Sequence, residues 1–409
     1  MKVLALELEP SGTRGGQEHS LFDICAGLVG TGHSVTLAHV DDGDLLSRYE
    51  AAGVRAVRVR GYAIDRGRLM GSAADVAVSV LRALRARPDV IYINQYHDTL
   101  FATIVARLLH IPLVCHLRLF PPGEFCGQWR VGLRGVSRFI AVSEATRRAY
   151  IERGFDASAI DLVMNGVDVE RFRPLGDRAR IRASLGLSEE EFVSVYIGRI
   201  DRGKNLEGLL RAFALLRAST PRARLLVAGK PLNHSSPAEA TRYLESLQDF
   251  ARSLGVGERV SWLGPRTDAV ELYNAADACV LPSRDPETFG RVLAEAMACG
   301  TPGIGTAVGG VPEVLIGEAA RFIVPPRDEP ALADRLAALV DWRRKDPGLG
   351  TRLRALTVEK FDSRRMVQEV AVVLERTVSE GTVRRGPRQF LAAPGRTAPD
   401  VALAATRAT

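Results

Sequence analysis

The sequence contains few cysteines, and this narrows the classes of protein that it can encode. Its five cysteines are an odd number and show no paired spacing, which argues against a disulfide framework and fits a reducing cytosol. Cys126, Cys279 and Cys299 have no CxxC partner and no neighbouring histidine. A zinc site is therefore not expected.

Long hydrophobic runs are also missing. The longest apolar stretch, Leu100 to Leu109, is interrupted by Arg107 and is about half as long as a membrane span needs. Met1-Lys2-Val3 leads directly into the first predicted strand, so no signal peptide is expected. We expect a cytoplasmic protein and leave open a peripheral contact at the inner membrane face.

Aromatic residues make up only 6% of the chain, and they do not alternate with basic residues as they do in proteins that bind single strands. No nucleic acid partner is therefore expected. The formal charge of +7 fits an anionic substrate, an anionic membrane surface or simply an arginine-rich composition. With 409 residues, 46% of them hydrophobic, the chain is long enough for two domains with separate cores.

The most informative stretch runs from Pro282 to Gly310, PSRDPETFGRVLAEAMACGTPGIGTAVGG. The short apolar run Ala278–Leu281 before it predicts a buried parallel strand, and apolar residues at helical spacing predict a helix from about Gly290 to Gly300. Glu287 then lies in the loop after the strand, and Glu295 lies within the helix. Taken alone, the two glutamates are more typical of solvated charges on a helix surface.

The start of this helix suits a phosphate group. Free backbone N–H groups lie at the positive end of a helix, where anions bind. Here they belong to Phe289, Gly290 and Arg291. The glycine lets an anion approach the backbone closely.

A second loop carries two cations. The strand Phe192–Gly198 is followed by Arg199-Ile200-Asp201-Arg202-Gly203-Lys204-Asn205 and then by a helix from Leu206 to Leu216. Arg199 and Lys204 in this position suit a diphosphate, because charge-assisted contacts are stronger than neutral hydrogen bonds. A solvated basic loop is the alternative interpretation.

The first half also places polar groups after predicted strands. Gly15 and Gly16, with Gln17 and Glu18, lie between the first strand and a helix, but the pattern is not the G-x-G-x-x-G of dinucleotide sites. A structural turn is the alternative. His97 follows the strand Val90–Asn94.

The strand Leu113–Arg118 contains His116 and ends in Arg118. A partly buried histidine that caps the strand end is the alternative to a functional one. The aromatic loop Leu119–Val131 precedes Arg134 and Arg138. It is compatible with a membrane-surface contact, a lid over the acceptor or a packed loop.

Several phrases of the sequence together resemble one enzyme family. They are the glutamates in E-x7-E with Phe289-Gly290 between them, G-R-x-x-x-x-K-N at 198–205, A-V-S-E-A-T at 141–146 and N-G-V-D at 165–168. This pattern resembles the GT4 family of retaining nucleotide-sugar glycosyltransferases over roughly residues 1 to 378. The resemblance implies the α/β fold called GT-B, in which two Rossmann-like domains with parallel sheets face an inter-domain cleft.

The expected domain organisation follows from this resemblance and from the lapse of periodicity around Arg173–Gly176. We expect an N-terminal acceptor-binding domain over 1–180 and a C-terminal domain that binds the nucleotide sugar over 190–362. A helix over 363–380 crosses back to the first domain. Residues 381–409 are rich in Arg, Ala, Pro, Gly and Thr and are expected to be a disordered tail.

The resemblance also implies roles for individual residues. The catalytic residues are expected to be Glu287, His116, Arg199 and Lys204. The donor would be bound by Gly15, Gly16, Arg199, Lys204, Arg266, Glu287, Phe289, Gly290, Arg291 and Glu295. The acceptor side would be lined by Gln17, Glu18, His97 and Arg118. No cofactor is expected beyond the nucleotide sugar as co-substrate. No metal is expected to be required, because the cations take its place and no D-x-D motif lies in a suitable loop.

The expected reaction moves a hexosyl group from a UDP- or GDP-linked sugar to a hydroxyl of a small molecule, a natural product or a glycan precursor. A nucleotide-sugar epimerase, a phosphorylase and a binding partner without activity are the alternatives. A phosphorylase needs a pyridoxal-phosphate lysine pocket, for which no motif is present. The acceptor and the oligomeric state are left open by the sequence, and Lys230 stands where the family often has an acidic residue.

Overall fold

A computed structural model describes residues 1–12, 15–125, 127–232 and 235–381. The chain divides into two compact units, one built from Met1–Gly166 together with the helix that begins at Ser363, the other from Val167–Asp362. Apart from Gly381, the predicted tail over 381–409 lies outside the described residues.

The passage between the units lies at Gly166–Val167, earlier in the chain than the segment between 176 and 190 indicated by the sequence. Residues after Val167 are tied to the second unit by hydrogen bonds. The Leu175 amide donates to Asn274 Oδ1 at 2.7 Å, and Arg354 Nη1 donates to the Phe172 carbonyl at 2.9 Å. These bonds place the segment in the second core although its own sequence lacks periodicity.

The first unit contains a seven-stranded parallel sheet in the order β3-β2-β1-β4-β5-β6-β7. The strands are β1 (Lys2–Glu7), β2 (Ser34–His39), β3 (Arg55–Arg58), β4 (Val90–Ile93), β5 (Leu113–Leu117), β6 (Arg138–Ala141) and β7 (Ile160–Leu162). The helices are α1 (Gly16–Gly30), α2 (Leu46–Ala51), α3 (Leu69–Leu84), α4 (Thr99–Leu109), α5 (Gly127–Leu133) and α6 (Glu144–Glu152).

The second unit contains a six-stranded parallel sheet in the order β10-β9-β8-β11-β12-β13. Its strands are β8 (Phe192–Ile197), β9 (Ala223–Ala228), β10 (Val260–Gly264), β11 (Ala278–Leu281), β12 (Gly303–Thr306) and β13 (Ile323–Val324). Its helices are α7 (Arg178–Ser184), α8 (Leu206–Ser219), α9 (Pro237–Ser253), α10 (Ala269–Ala275), α11 (Arg291–Ala298), α12 (Val311–Val314), α13 (Glu329–Ala338), α14 (Trp342–Lys345) and α15 (Leu349–Phe361).

The final helix, α16 (Ser363–Ser379), returns to the first unit. Its apolar residues recur at helical spacing and pack against the face of the sheet that α1 also covers. Gly27 of α1 lets the two helices approach closely, because a Cβ atom there would lie 2.6 Å from Val367 Cγ2. The buried residues of α16 on this face are Met366, Val370, Val373 and Leu374.

The sheet of the first unit has a hydrophobic core on each side, so its central strands β1, β4 and β5 are buried along most of their length. In β1, Leu4 and Leu6 face one core, and Val3 and Ala5 face the other. Short polar residues fix where the helices start. The Ser143 hydroxyl, for example, accepts from the Thr146 amide at 3.1 Å at the beginning of α6.

The strand order determines where polar loops meet. In the first unit, β1 and β4 are neighbours although two strands lie between them in sequence, and in the second unit the same holds for β8 and β11. At such a switch point the connections leave in opposite directions, and ligands of open α/β sheets bind beyond the carboxyl ends of the two strands. The loops after these four strands, together with the first turns of the helices that follow them, carry most of the residues predicted to be functional.

The aromatic segment after β5 is not entirely a loop, because α5 begins within it. Trp129 of α5 packs edge-on against Tyr96, with ring centroids 5.3 Å apart. The contact of this segment with a membrane stays a prediction. Over the described residues, every helix is too short or too polar to cross a membrane.

Candidate active site

The loop after β8 presents two cations. Asp201 fixes its turn, because the Asp201 carboxylate accepts from the Lys204 amide at 3.2 Å. Arg199 Nε lies 3.7 Å from Asp201 Oδ2, and 38% of the Arg199 side chain is exposed. The Tyr196 hydroxyl donates to the Arg199 carbonyl. The loop therefore holds the guanidinium of Arg199 at the surface while its backbone is anchored to β8.

The loop after β11 brings Glu287 to the second cation. Lys204 Nζ lies 2.5 Å from Glu287 Oε1, and both side chains are about 15% exposed. The Ser283 hydroxyl donates to the same carboxylate. Burial raises the pKa of Glu287, but the Lys204 ammonium, helped by Ser283 and Arg199, outweighs burial and brings the pKa below its ordinary value. Glu287 is therefore ionised at neutral pH.

Two glycines allow the backbone around this pair to pack closely. Gly309 has φ of 54°, and a Cβ atom there would lie 2.1 Å from the Glu287 carbonyl oxygen. The Gly310 amide donates to that oxygen at 2.7 Å. At Gly203, a Cβ atom would lie 2.6 Å from Asp285 Oδ2, and the Arg284 amide donates to the Gly203 carbonyl at 3.0 Å. The two loops thus form one hydrogen-bonded structure.

Glu295 lies in α11, where the sequence predicts it, and its carboxylate has two partners in the protein. Arg291 Nε donates to Oε1 at 2.8 Å, and the Tyr273 hydroxyl donates to Oε2 at 3.0 Å. The residue is 8% exposed. Each carboxylate oxygen can accept more than one hydrogen bond, so the two partners orient the carboxylate and leave it able to accept from a ligand.

The other predicted donor contacts differ in environment. Gly290 precedes α11 with φ of 95°, so the turn there requires glycine. The Phe289 side chain is buried and packs edge-on against Phe361, with centroids 5.6 Å apart. The Arg291 guanidinium forms an ion pair with Glu295. Arg266, after β10, forms an ion pair with Asp268. Ion pairs therefore join Lys204 to Glu287 and Arg291 to Glu295, and the charge of Arg199 also acts on Glu287.

In the first unit, His116 belongs to a buried hydrogen-bonded cluster at the ends of β4 and β5. The Tyr92 hydroxyl lies 2.6 Å from His116 Nδ1, and Arg118 Nη2 lies 3.2 Å from the same atom. Arg118 also donates to Asn94 Oδ1, and to Asn165 Oδ1 at 3.1 Å. Arg118, predicted to line the acceptor side, is 4% exposed, and its guanidinium is used within this cluster.

The residues around the start of α1 lie beside the same cluster. Gly15 precedes the helix, and Gly16 is its first residue. Asn94 Nδ2 donates to the Gln17 carbonyl at 3.0 Å, and Gln17 Nε2 donates to Glu18 Oε1 at 3.1 Å. The first turn of α1 is thereby fixed at the carboxyl end of β4.

His97 packs between two aromatic rings, with centroid distances of 4.3 Å to Tyr96 and 4.6 Å to Trp129. Burial lowers the pKa of His97 to about 4, so this imidazole is neutral at physiological pH. A packed, neutral ring can contact an acceptor through stacking or a single hydrogen bond. Its predicted role stays a prediction.

Sequence reasoning missed four residues that orient the predicted ones. Tyr92 and Tyr273 carry no distinct pattern, whereas Asn165 opens the N-G-V-D phrase and Ser283 lies four residues before Glu287 in the same loop. A hydroxyl so close to a predicted carboxylate is a usable signal. The missed residues are Tyr92, Asn165, Tyr273 and Ser283.

Among the residues that the structure describes, no group of three or more His, Cys, Asp or Glu side chains is placed to hold a metal ion. The described cysteines are free and buried, namely Cys25, Cys115, Cys279 and Cys299; Cys126 lies outside the described residues. The expectation that the reaction needs no metal stays a prediction.

Comparison with known proteins extends these observations. Residues 177–351 match the family described as glycosyl transferases group 1, and residues 14–171 match glycosyltransferase family 4. A D-inositol 3-phosphate glycosyltransferase 1 from Catenulispora acidiphila is 32% identical over 311 residues, which are 71% of this chain and 72% of the relative. A D-inositol 3-phosphate glycosyltransferase from Mycobacterium sp. (strain KMS) is 46% identical over 159 residues, 38% of this chain and 34% of the relative.

Solved structures resemble the chain over most of its length. The crystal structure of Anabaena Alr3699/HepE in complex with UDP and glucose matches with a TM-score of 0.79 and 27% identity, covering 92% of this chain and 99% of that chain. Sucrose-phosphate synthase from Thermosynechococcus elongatus matches with a TM-score of 0.75 and 23% identity, covering 93% and 100%, and this second likeness concerns the fold alone.

Two Rossmann-like units with parallel sheets, together with these relatives, define a glycosyltransferase enzyme with the GT-B fold. The chain belongs to the group 1 glycosyltransferases of the family 4 type. The family, the fold class and the enzyme class indicated by the sequence are thereby confirmed.

Proposed function

We propose that the protein is a retaining glycosyltransferase that moves a hexosyl group from a UDP-linked sugar to a hydroxyl group of an acceptor. The observation that carries this proposal is the contact between Lys204 and Glu287 at the switch point of the second sheet. It places a fixed cation, which suits a diphosphate, beside an ionised carboxylate, which suits the hydroxyl groups of a sugar.

The two cations of the β8 loop are proposed to bind the diphosphate. Arg199 and Lys204 flank one turn, and both are partly exposed. As the bond between sugar and phosphate breaks, negative charge grows on the leaving diphosphate. Fixed cations stabilise this charge more strongly in the transition state than in the bound substrate, which is how such groups accelerate a reaction.

Glu287 is proposed to orient the sugar. Because its pKa lies below the ordinary value, the carboxylate does not serve as a proton donor to the leaving group near neutral pH. It can accept hydrogen bonds from sugar hydroxyls, with Lys204 and Ser283 holding it in place. In this proposal the acceptor hydroxyl attacks on the face from which the nucleotide leaves, and the departing phosphate takes the proton.

Glu295 is proposed to accept hydrogen bonds from the ribose hydroxyls. Arg291 and Tyr273 fix the direction of its carboxylate. The proposed donor is a UDP-sugar because the Anabaena structure, at 27% identity over most of the chain, contains UDP and glucose. The GDP-linked donors that the sequence also allows become a comparison in the test.

The acceptor is proposed to bind the first unit. Its chemical class is a hydroxyl compound, and D-inositol 3-phosphate is the first compound to test because it appears in the names of relatives such as the Catenulispora protein. Natural products and glycan precursors form the rest of the acceptor panel. The transferase relatives favour this reaction over the epimerase and over a binding partner without activity.

The proposal is tested by incubating the full chain with UDP- and GDP-hexoses and the acceptor panel. Mass spectrometry is expected to show an acceptor heavier by one hexosyl residue. Proton NMR of the product is expected to show the anomeric configuration of the donor. Inversion of that configuration would refute the retaining mechanism, and the absence of transfer with every donor would refute the proposed activity.

A further inference from the structure

The cluster around His116 determines which ring nitrogen carries the proton. Tyr92 and His116 are fully buried, and Arg118 is nearly so. Two groups approach Nδ1, the Tyr92 hydroxyl at 2.6 Å and Arg118 Nη2 at 3.2 Å. A guanidinium only donates hydrogen bonds, so Nδ1 must offer it a lone pair.

The protonation state of the Tyr92 hydroxyl also indicates that Nδ1 accepts hydrogen bonds. Burial, opposed by Arg118, raises the pKa of Tyr92 to about 12, so the hydroxyl keeps its proton and can donate it to Nδ1. With Nδ1 accepting from both neighbours, a neutral imidazole carries its one proton on Nε2.

Arg118 cannot easily leave this position. Its Nε donates to Asn94 Oδ1, and its Nη1 donates to Asn165 Oδ1 at 3.1 Å. Asn165 is in turn held by the Ser20 hydroxyl at 2.6 Å. The guanidinium is therefore fixed by Asn94 at the end of β4 and by Asn165 after β7, and Ser20 of α1 supports Asn165. Its Nη2 nitrogen is directed at His116.

On the opposite side of the ring, Nε2 has no partner within the part of the chain that the structure describes. His116 Nε2 is buried and makes no hydrogen bond with any residue that the structure describes. Gln17 Oε1, in the first turn of α1 beside the same cluster, is also buried without a partner among those residues. Buried polar atoms without partners are uncommon in folded proteins. A hydroxyl group suits Nε2, since a hydroxyl oxygen accepts from N–H.

We propose that Arg118 is a positioning residue, which together with the Tyr92 hydroxyl holds His116 with its single ring proton on Nε2, so that Nε2 donates a hydrogen bond to a sugar hydroxyl oxygen. The identity of that oxygen rests on the proposed function, whereas the position of the proton does not. In this proposal Arg118 acts through His116.

The charged and titratable surroundings favour the neutral ring. Burial lowers the pKa of His116 well below its ordinary value, and the positive charge of Arg118 lowers it further. The other groups near the cluster that can ionise are Glu7 on β1, Cys25 on α1, Cys115 on β5 and Asp98 before α4. Burial holds Cys25 and Cys115 as neutral thiols.

The proton is located by NMR of the full chain labelled with ¹⁵N-histidine. The spectrum of His116→Gln assigns the His116 signals by their absence. We expect the ¹⁵N shift pattern of an imidazole protonated on Nε2, unchanged from mildly acidic to mildly alkaline pH. A pattern for protonation on Nδ1, or titration in this range, would overturn the proposal whether or not the protein transfers sugar.

The role of Arg118 is tested with Arg118→Met and the matched control Arg107→Met, which changes an exposed arginine of α4. In Arg118→Met, the Tyr92 hydroxyl is free to accept as well as donate, so a mixture of tautomers is expected. With UDP-glucose as donor, kcat is expected to fall at least tenfold with a small change in KM, while Arg118→Lys restores part of it. If Arg118→Met matches Arg107→Met in spectrum and kcat, Arg118 does not position His116. The wild-type spectrum decides the tautomer even if Arg118→Met does not fold.

Discussion

Replacing Glu287 by glutamine removes one charge at the centre of the proposed donor site and keeps the shape of the side chain. In the free protein the Glu287 carboxylate lies 2.5 Å from Lys204 Nζ and is about 16% exposed, so it is poorly screened by water. A hydrogen bond to a charged group in such a position is worth about 1.5–3 kcal/mol. If Glu287 holds a sugar hydroxyl in the transition state, Glu287→Gln should lower kcat roughly 10- to 150-fold, at about 1.4 kcal/mol for each factor of ten.

The same substitution should leave the affinity for UDP unchanged or increase it. In the free protein the Lys204 ammonium is already neutralised by Glu287, and a diphosphate must compete for it. In Glu287→Gln that competition is removed, so the Kd for UDP should stay the same or decrease. A loss of turnover without a loss of UDP affinity is therefore the specific expectation.

Initial rates with UDP-glucose give kcat, and calorimetric titration gives the Kd for UDP. Glu245→Gln, which changes an exposed glutamate of α9, serves as the matched control and should behave like the wild type. Near-normal kcat in Glu287→Gln would refute its role in orienting the sugar. Parallel losses of kcat and UDP affinity would indicate that the ion pair only maintains the loop structure.

Three further substitutions test the surroundings of the two sites. Burial raises the pKa of Asp98 from 3.8 to about 7, so the cost of its charge to folding grows as the pH rises between these values. Asp98→Asn should therefore gain about 2 kcal/mol more stability over wild type at about pH 8 than at about pH 5.5, measured by urea unfolding; an equal gain at both pH values would contradict the shift. Gly309→Ala should lower both stability and kcat, because a Cβ atom would lie 2.1 Å from the Glu287 carbonyl. Gly186→Ala, with similar φ of 67° but nothing within 4 Å, should cost only about 1–2 kcal/mol and leave kcat unchanged. Tyr273→Phe removes the hydrogen bond to Glu295 and should raise the KM for UDP-glucose several-fold with little change in kcat; a change confined to kcat would argue against a ribose contact.

The strands and loops of the donor site could be predicted from local patterns. The apolar run before Pro282 and the helical spacing after Gly290 locate β11 and α11 to within a residue or two. The contact between Lys204 and Glu287 could not be predicted in this way. The two residues lie 83 positions apart, and they meet because β8 and β11 are neighbours although β9 and β10 lie between them in sequence.

The environment of Arg118 was harder to predict because a charged side chain is buried here at the end of a strand. An arginine at the end of a strand suggests a surface residue. However, side chains two residues apart in an extended chain point to the same side, and this places Arg118 beside His116. That alternation was the available signal. Helix α5 was not predicted from the sequence for a different reason. It is short, and it is stabilised by close packing against α4, which the sequence does not show. A Cβ atom at Gly132 of α5 would lie 2.4 Å from the Leu100 amide nitrogen of α4.

The central claim is that Arg199 and Lys204 bind the diphosphate of a nucleotide sugar. Calorimetric titration of the full chain with UDP and with uridine tests it most directly, with Lys204→Met compared with the exposed Lys345→Met. We expect UDP to bind at least about tenfold more tightly than uridine, since one charge-assisted contact supplies about 1.5 kcal/mol or more. Lys204→Met should remove most of this difference and Lys345→Met none. Equal affinities for UDP and uridine, or a difference that survives in Lys204→Met, would contradict the claim.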